Sequence, residues 1–269
     1  MNKVYFQNFG AIVTNKCNLD CGHCLRGCKN DKEMSKEVIE KTFEQIYAVS
    51  ALSICGGEPT LALEPIENII NAIIEKNICI VDFALVINGT NYSEELLRLL
   101  TYINDYLKSY SKKSNVILTI SYDQYHIQEL IRHGLLNLYK ENILRYKESK
   151  FYYGLNQLDP KLKLYKEGNA AKLDDKLTVE YRPIDLRVTY AGKDEKKLCC
   201  IGPILAVNTD GIITECDVSI ENQERKFNYG NVFDNTFEEI ALERGKLVTP
   251  RQFNRQTKKI IKKQMTYNK

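Results

Sequence analysis

Short apolar runs alternate with amphipathic segments along the first two thirds of the chain, and that rhythm narrows the available folds more than any other feature. Residues 9–14 read as a strand. Ser35 then caps a helix whose apolar face is Val38, Ile39, Phe43, Ile46 and Tyr47. Residues 51–55 form a short buried strand ending in Gly56-Gly57, and the helix after it carries Leu63, Ile66, Ile69, Ile70, Ile73 and Ile74. A third strand covers residues 78–87 and closes at Asn88-Gly89. Ser93 caps a helix through Leu96, Leu97, Leu99, Leu100 and Ile103. Residues 116–121 are a fourth strand, followed by a helical stretch over 127–146. Residues 150–155 and 162–165 read as the fifth and sixth strands. Alternation at this spacing predicts a parallel sheet with right-handed crossovers. Six units fall short of a closed eight-fold barrel. The expected class is therefore α/β, a partial (β/α)6 TIM-like barrel, with a doubly wound open sheet as the alternative.

The pattern changes near Thr178. Residues 204–208 and 212–216, joined by Thr209-Asp210-Gly211, read as a β-hairpin, and a helix follows Asp234-Asn235 through Phe237, Ile240 and Leu242. This predicts a small α+β C-terminal extension, and a division into a barrel over residues 1–175, the extension over 176–243 and a tail over 244–269. The tail holds nine Lys or Arg and no acid, so the net charge of +3 splits into +9 there and 3 − 9 = −6 elsewhere. A basic tail offers an acidic partner a docking point or is simply solvated. With 43% hydrophobic and 27% charged residues in 269, general disorder is excluded. No apolar run approaches the roughly 20 residues of a membrane helix, so no membrane partner is expected. The first residues, MNKVYFQNFG, lack the layout of a secretory signal, which gives a cytoplasmic expectation. Nucleic acid is not an expected partner, since no dedicated RNA-binding motif accompanies the basic tail.

Nine cysteines, an odd number in a chain read as cytoplasmic, argue for metal ligation, reactive thiols or core packing over a disulfide framework. Four fall within twelve positions. Cys17, Cys21 and Cys24 form C-x3-C-x2-C directly after the first expected strand, in a loop whose Asn18, Asp20 and Gly22 allow the chain to wrap round a centre. Structural zinc sites take four protein ligands, commonly as two C-x2-C-like pairs. Three thiolates at this spacing fit better with a [4Fe–4S] cluster that keeps one iron free of protein ligands. Cys28 stands ready as a fourth ligand if the site is closed.

C-x3-C-x2-C after strand one, followed by Gly56-Gly57-Glu58-Pro59-Thr60-Leu61 after strand two, resembles the radical S-adenosylmethionine (SAM) superfamily over roughly residues 5–168. The resemblance implies that Cys17, Cys21 and Cys24 ligate three irons and that SAM chelates the fourth. It places His23 beside the adenine, and Gly56, Gly57, Glu58 and Pro59 near the SAM ammonium. Asn88, Ser121 and Asp123 fall where the family contacts the SAM carboxylate or ribose. Tyr122, Gln124, Tyr125 and His126 share the loop after strand four, and of these Tyr122 and His126 are candidates to face substrate. The implied chemistry is reductive cleavage of SAM to methionine and a 5′-deoxyadenosyl radical that takes hydrogen from substrate. A flavodoxin or ferredoxin would donate the electron.

Cys200, Gly211 and Cys216 form C-x10-G-x4-C, which resembles the start of the SPASM or shorter "twitch" extension of such enzymes, as does Tyr229-Gly230-Asn231-Val232 before a helix. Gly168-Asn169-Ala170 is similar to a Gly-Arg-Ala segment before that extension, without its arginine. No cysteine follows Cys216, so two complete auxiliary clusters are excluded. One second Fe–S cluster on Cys199, Cys200 and Cys216 is one reading. The other is an extension that has lost its cluster and packs these cysteines as small apolar residues. Cys55 and Cys79 lie inside expected strands and read as core. A thiol that returns a hydrogen atom to substrate is known in the family, and Cys28, Cys199 and Cys200 are the candidates here. The extension points by analogy to a ribosomally made peptide as substrate, modified by epimerisation, crosslinking or a related step. A small molecule such as a sugar, aminocyclitol or nucleotide precursor is the alternative. A non-catalytic iron–sulfur redox module is the third reading, against which the GGEP segment speaks.

Overall fold

The computed structural model describes residues 3–159, 161–191 and 198–249. In chain order the elements are β1 (Val4–Ile12), α1 (Lys36–Glu44), β2 (Ile46–Cys55), α2 (Leu63–Glu75), β3 (Cys79–Ile87), α3 (Glu94–Tyr110), β4 (Asn115–Ser121), α4 (Gln124–Arg132), α5 (Leu136–Lys147) and β5 (Tyr152–Asn156). Next come β6 (Leu164–Tyr165), β7 (Thr178–Val179), β8 (Arg187–Ala191), β9 (Leu198–Gly202), β10 (Leu205–Val207) and β11 (Ile212–Thr214). The chain continues with α6 (Ile220–Glu224), β12 (Gly230–Asn231), α7 (Phe237–Arg244) and β13 (Lys246–Leu247). Short 3-10 turns at Pro59–Leu61 and Gly168–Lys172 complete the set.

Strands β1 to β5 lie in sequential order and are all parallel. Right-handed crossovers between sequential neighbours put every helix on one face. A doubly wound sheet reverses strand order and covers both faces, so the order observed selects the partial TIM-like barrel. Burial records the same asymmetry. Leu52, Ile54, Phe83, Leu85, Ile87, Leu118 and Ile120 are buried on the helix-covered face. Their neighbours Ser53, Cys55, Ala84, Ile117, Thr119 and Ser121 are half-buried, and Val86 is exposed, on the other. The period-two alternation of a strand thus separates a packed face from an open one.

Three element expectations change. Residues 162–165 do not supply the sixth strand of this sheet, because β6 pairs only with β7 in a separate two-stranded ladder. The sixth parallel position is taken from further along the chain, with β9 pairing the first half of β1 and β10 its second half. The helical stretch expected over 127–146 is two helices, broken at Gly134, whose φ of +67° no continuing helix allows. Ile46 and Tyr47 leave the face of α1 and open β2, which is ten residues long. The caps at Ser35 and Ser93 accept from the backbone N–H of Val38 and Leu96, as expected. Helix α7 is capped by Thr236, in a capping box with Glu239, two positions after Asp234-Asn235.

The hairpin is present as β10 and β11, with Ala206 opposite Thr214. Of the basic tail, Lys246 and Leu247 pair with β8 as β13, and residues 250–269 lie outside the described residues. Among the described residues no helix is long and apolar enough to cross a membrane.

Candidate functional site

The site is built from loops at the carboxyl ends of β1 to β4, where the loops of a parallel barrel converge. The loop after β1 is closed at its base. Thr14 bridges Glu33, Asn15 N–H donates to Lys32 O (2.9 Å) and Met34 N–H to Val13 O (2.8 Å). Inside it, Leu19 is buried and the Lys29 ammonium donates to its carbonyl (2.7 Å). Cys24 N–H donates to Cys21 O (3.0 Å). Cys17, Cys21 and Cys24 are half-buried, and Cys28 is exposed. Burial pushes the Cys17 thiol up to about 11 and the Cys21 thiol up to about 12. These thiols give up their protons at neutral pH only to a cation that offsets the loss of solvent. Among the described residues no three His, Cys, Asp or Glu side chains converge on a single-ion position.

The Gly56-Gly57 pair serves a backbone contact. Gly57 N–H donates to Thr14 O (2.7 Å) and Glu58 N–H to Lys16 O (2.6 Å), so the loop after β2 is stitched to the base of the cysteine loop. A Cβ on Gly56 would lie 2.6 Å from Thr14 O, and one on Gly57 2.1 Å from Lys16 O. Pro59 starts the 3-10 turn that follows. The buried Glu58 carboxyl accepts from Thr60 N–H (3.0 Å) and Thr60 hydroxyl (2.6 Å) on Oε1, and from Asn88 N–H (2.6 Å) on Oε2. Burial nevertheless lifts its pKa to about 7 against the pull of those donors. Both oxygens are engaged within the protein, so Glu58 fastens the loop after β2 to the loop after β3.

Asn88 is the next junction. Its side-chain N–H donates to Asn18 Oδ1 (2.9 Å), its Oδ1 accepts from Thr90, and its carbonyl lies 2.9 Å from His126 Nε2. A carbonyl only accepts, so Nε2 carries the proton. His126 Nδ1 is left as an acceptor 3.8 Å from the Cys21 thiol. Burial holds the His126 pKa below its usual value. His126 is therefore a buried strut between Asn88 and the cysteine loop rather than a group facing open space.

Asp123 caps α4 by accepting from Tyr125 and His126 N–H, both at 2.9 Å. Its Oδ2 lies 3.4 Å from His23 Nε2, and the His23 ring stacks on Tyr125 with centroids 5.1 Å apart. Burial lowers the His23 pKa, opposed by Asp123. His23 Nδ1 is buried with no hydrogen-bond partner, an orphan that a bound ligand would satisfy. The Ser121 carbonyl accepts from the Tyr139 hydroxyl (2.6 Å). Tyr122 is exposed on the rim of a cleft of about 930 Å³, whose near wall includes Leu25, Asp123 and Tyr125 and whose far wall includes Leu158, Leu162 and Leu177.

Several residues of the site carry no local signature. Glu129 Oε1 accepts from Asp20 N–H (2.8 Å) while Arg132 holds the same carboxylate, whose pKa falls to about 2. Asn169 reaches back from beyond β6. Its backbone N–H donates to Cys24 O (2.8 Å), and its side chain donates to Asp20 Oδ1 (3.0 Å) and Cys21 O (3.2 Å). Arg26 donates to Val218 O (3.1 Å), tying the cysteine loop to the extension.

The late cysteines do not assemble. Cys199 and Cys200 are buried in β9 opposite Val4 and Tyr5, and burial pushes both thiols up to about 12. Cys216 instead sits over Gly10, five residues further along β1, or about 16 Å of extended strand. A second cluster on all three is therefore not what this arrangement supports. Cys79 packs with Tyr5, Ala48 and Cys200 at the opposite end of the sheet from the site. Cys55, expected in the core, lies half-buried on the open face.

Residues 11–157, more than half of the chain, match the family model of the radical SAM superfamily. The chain belongs to the radical SAM superfamily. The cofactors of that superfamily are a [4Fe–4S] cluster and SAM. The half-buried thiols of one loop and the orphaned His23 nitrogen fit that pair. This radical SAM chain is 26% identical over 124 residues to an uncharacterised protein of Methanocaldococcus jannaschii, an alignment that takes in 45% of this chain and 40% of the relative. Solved structures similar to it include anSMEcpe with bound AdoMet and the Cp18Cys peptide, at a TM-score of 0.46 and 17% identity, over 88% of this chain and 80% of that one. Streptococcus suis SuiB bound to its precursor peptide SuiA matches at a TM-score of 0.43 and 12% identity, over 89% of this chain and 65% of that one.

Proposed function

We propose that Cys17, Cys21 and Cys24 hold the cluster, that His23, Gly56, Gly57, Glu58, Pro59, Asn88, Ser121 and Asp123 shape the SAM site, and that the substrate is a ribosomally made peptide. When bound, the cluster supplies the electron for reductive cleavage of the SAM sulfonium bond. The protein's own residues position and exclude solvent. Glu58 and Asn88 lock three loops together, Glu129 holds the cysteine loop from α4, and Asn169 holds it from the far side. Asp123 lies 3.4 Å from His23 Nε2, and the buried Nδ1 is left without a protein partner. A flavodoxin or ferredoxin is the proposed electron donor, and residues 176–243 the proposed substrate-side extension on a core of residues 1–175.

The observation that carries the peptide reading is the far wall of the cleft. It runs into the β6–β7 ladder, where Leu162 is 73% exposed and Leu158, Leu177 and Val179 are also exposed. A row of uncovered apolar side chains beside a cleft suits an extended chain with apolar side chains better than a small polar metabolite.

Anaerobically reconstituted protein tests both levels. About four irons per chain are expected in the parent and none in a Cys17/Cys21/Cys24→Ala variant, with deoxyadenosine released only by the parent. Apolar peptides are then expected to raise deoxyadenosine release. Stimulation by sugars or nucleotides alone would overturn the peptide reading and leave the cluster assignment standing.

A further inference from the structure

Cys55 ends β2 and Cys216 follows β11, yet their side chains meet on the open face of the sheet. The Cys216 sulfur lies where a Cβ on Gly10 would stand, 2.3 Å from that position, so only glycine at residue 10 leaves room for it. Gly10 pairs with Ser53 and Ile12 with Cys55 on the neighbouring strand, so the Cys216 sulfur and the Cys55 side chain lie on the same face of the sheet, one pleat apart. Cys55 Sγ also lies 3.6 Å from Ala11 O and 3.9 Å from Arg26 Nη2. Both cysteines are half-buried rather than sealed in the core. The neighbouring Cys216 thiol, and then the Arg26 charge, lower the Cys55 pKa, while that of Cys216 is raised. Asp217 opposes the shift on Cys55.

Two thiols are too few for a structural zinc site or a protein-held cluster, and the adjacent guanidinium repels a cation. The same guanidinium favours a thiolate. Neither residue is among the ligands proposed for the radical cluster, and Cys199 and Cys200 are too far along β1 to join them.

We infer that Cys55 and Cys216 form a redox-active dithiol, closed to a disulfide by exchange with a low-molecular-weight disulfide. The Cys55 thiolate attacks one sulfur of that disulfide, forms a mixed disulfide and expels one thiolate. Cys216 gives its proton to the released thiolate, attacks the Cys55 sulfur and expels the second thiolate, which takes a proton from solvent. Two protein thiols lose two electrons and the external disulfide becomes two thiols. The closed form ties the extension to the end of β2 beside Gly56, across the open face on which the proposed chemistry takes place.

The test is peptide mapping of anaerobic, cluster-loaded protein treated with glutathione disulfide, quenched in acid and alkylated. A linked Cys55–Cys216 peptide is expected in most chains, reversed by dithiothreitol, with iron content unchanged. Cys216→Ser should convert the link into a mixed disulfide of Cys55 with glutathione. Exposed Cys28 reports that the reagent has acted. If Cys28 is glutathionylated while Cys55 and Cys216 are both recovered alkylated, the dithiol is overturned, as it is if Cys55 is found linked to another cysteine. The wild-type map decides the matter even if the variant fails to fold. Its readout is independent of SAM cleavage, so its failure leaves the radical SAM assignment untouched.

Discussion

Replacing Gly57 with alanine should be among the most damaging single-methyl additions this chain can receive. The new Cβ would stand 2.1 Å from Lys16 O, 2.6 Å from Lys16 C and 3.0 Å from Asn15 O. All three are backbone atoms of the cysteine loop, so no rotamer change relieves the overlap. Relief requires the two loops to separate, which breaks the 2.7 Å bond from Gly57 N–H to Thr14 O and the 2.6 Å bond from Glu58 N–H to Lys16 O. Overpacking costs about 1–3 kcal/mol, and each lost hydrogen bond about 1 kcal/mol, so the variant should lose about 3–5 kcal/mol. That corresponds to a Tm lower by roughly 10 °C for a chain of this size. Gly154→Ala is the control, because nothing lies within 4 Å of its added Cβ. Its expected change is within about 1 kcal/mol of the parent. Thermal and urea unfolding of both metal-free variants, with iron per chain after reconstitution, measure the effect. A Gly57→Ala protein as stable as Gly154→Ala, with full iron, would refute the reasoning that the glycines exist for this backbone contact.

Two further substitutions probe the same framework. Asn169→Ala removes the donor to Asp20 and Cys21 and should reduce iron retention on dilution while costing only about 1–2 kcal/mol of stability; unchanged iron loss in a chelator challenge would count against the clamp. Glu58 ties stability to pH. Its folded pKa of about 7 lies above the 4.5 of an unperturbed group, so the folded state holds a proton that the unfolded state has released. Its contribution is full below pH 4.5 and is lost as pH rises through 7. Glu58→Gln should flatten that part of the stability–pH curve of the metal-free protein, and an unchanged slope between pH 4.5 and 7 would place the carboxylate as ionised throughout.

Much of the architecture was legible because it is local. Apolar runs bounded by Gly or Asn locate β2 to β5, and Ser35 and Ser93 mark helix starts by a hydrogen bond three residues ahead. The cysteine spacing and GGEP point to the superfamily that the family model matches. What the sequence conceals is pairing at long range. The sixth strand position is split between β9 and β10, two short runs that look like separate pieces until both lie against β1. Residues 162–165 have the composition of a strand but meet only β7. Cys55 and Ile54 differ by one position and face opposite sides of the sheet, a distinction that depends on knowing which side the helices cover. Asn169 and Glu129 act on the cysteine loop from elsewhere in the chain, and no spacing rule connects them to it. Only the Gly168-Asn169-Ala170 segment drew notice, through its likeness to Gly-Arg-Ala.

The pairing of β1 bears on how the molecule is made. This first strand is central in the finished sheet, with β2 on one side and β9 and β10 on the other. During synthesis its second edge waits until residues 198–207 have left the ribosome, roughly 10–40 s after β1 at ordinary elongation rates. Through that interval an apolar strand next to the cysteine loop presents open backbone groups, the condition under which chains pair wrongly with one another. Removing the last third of the chain should therefore yield aggregates rather than a smaller soluble barrel.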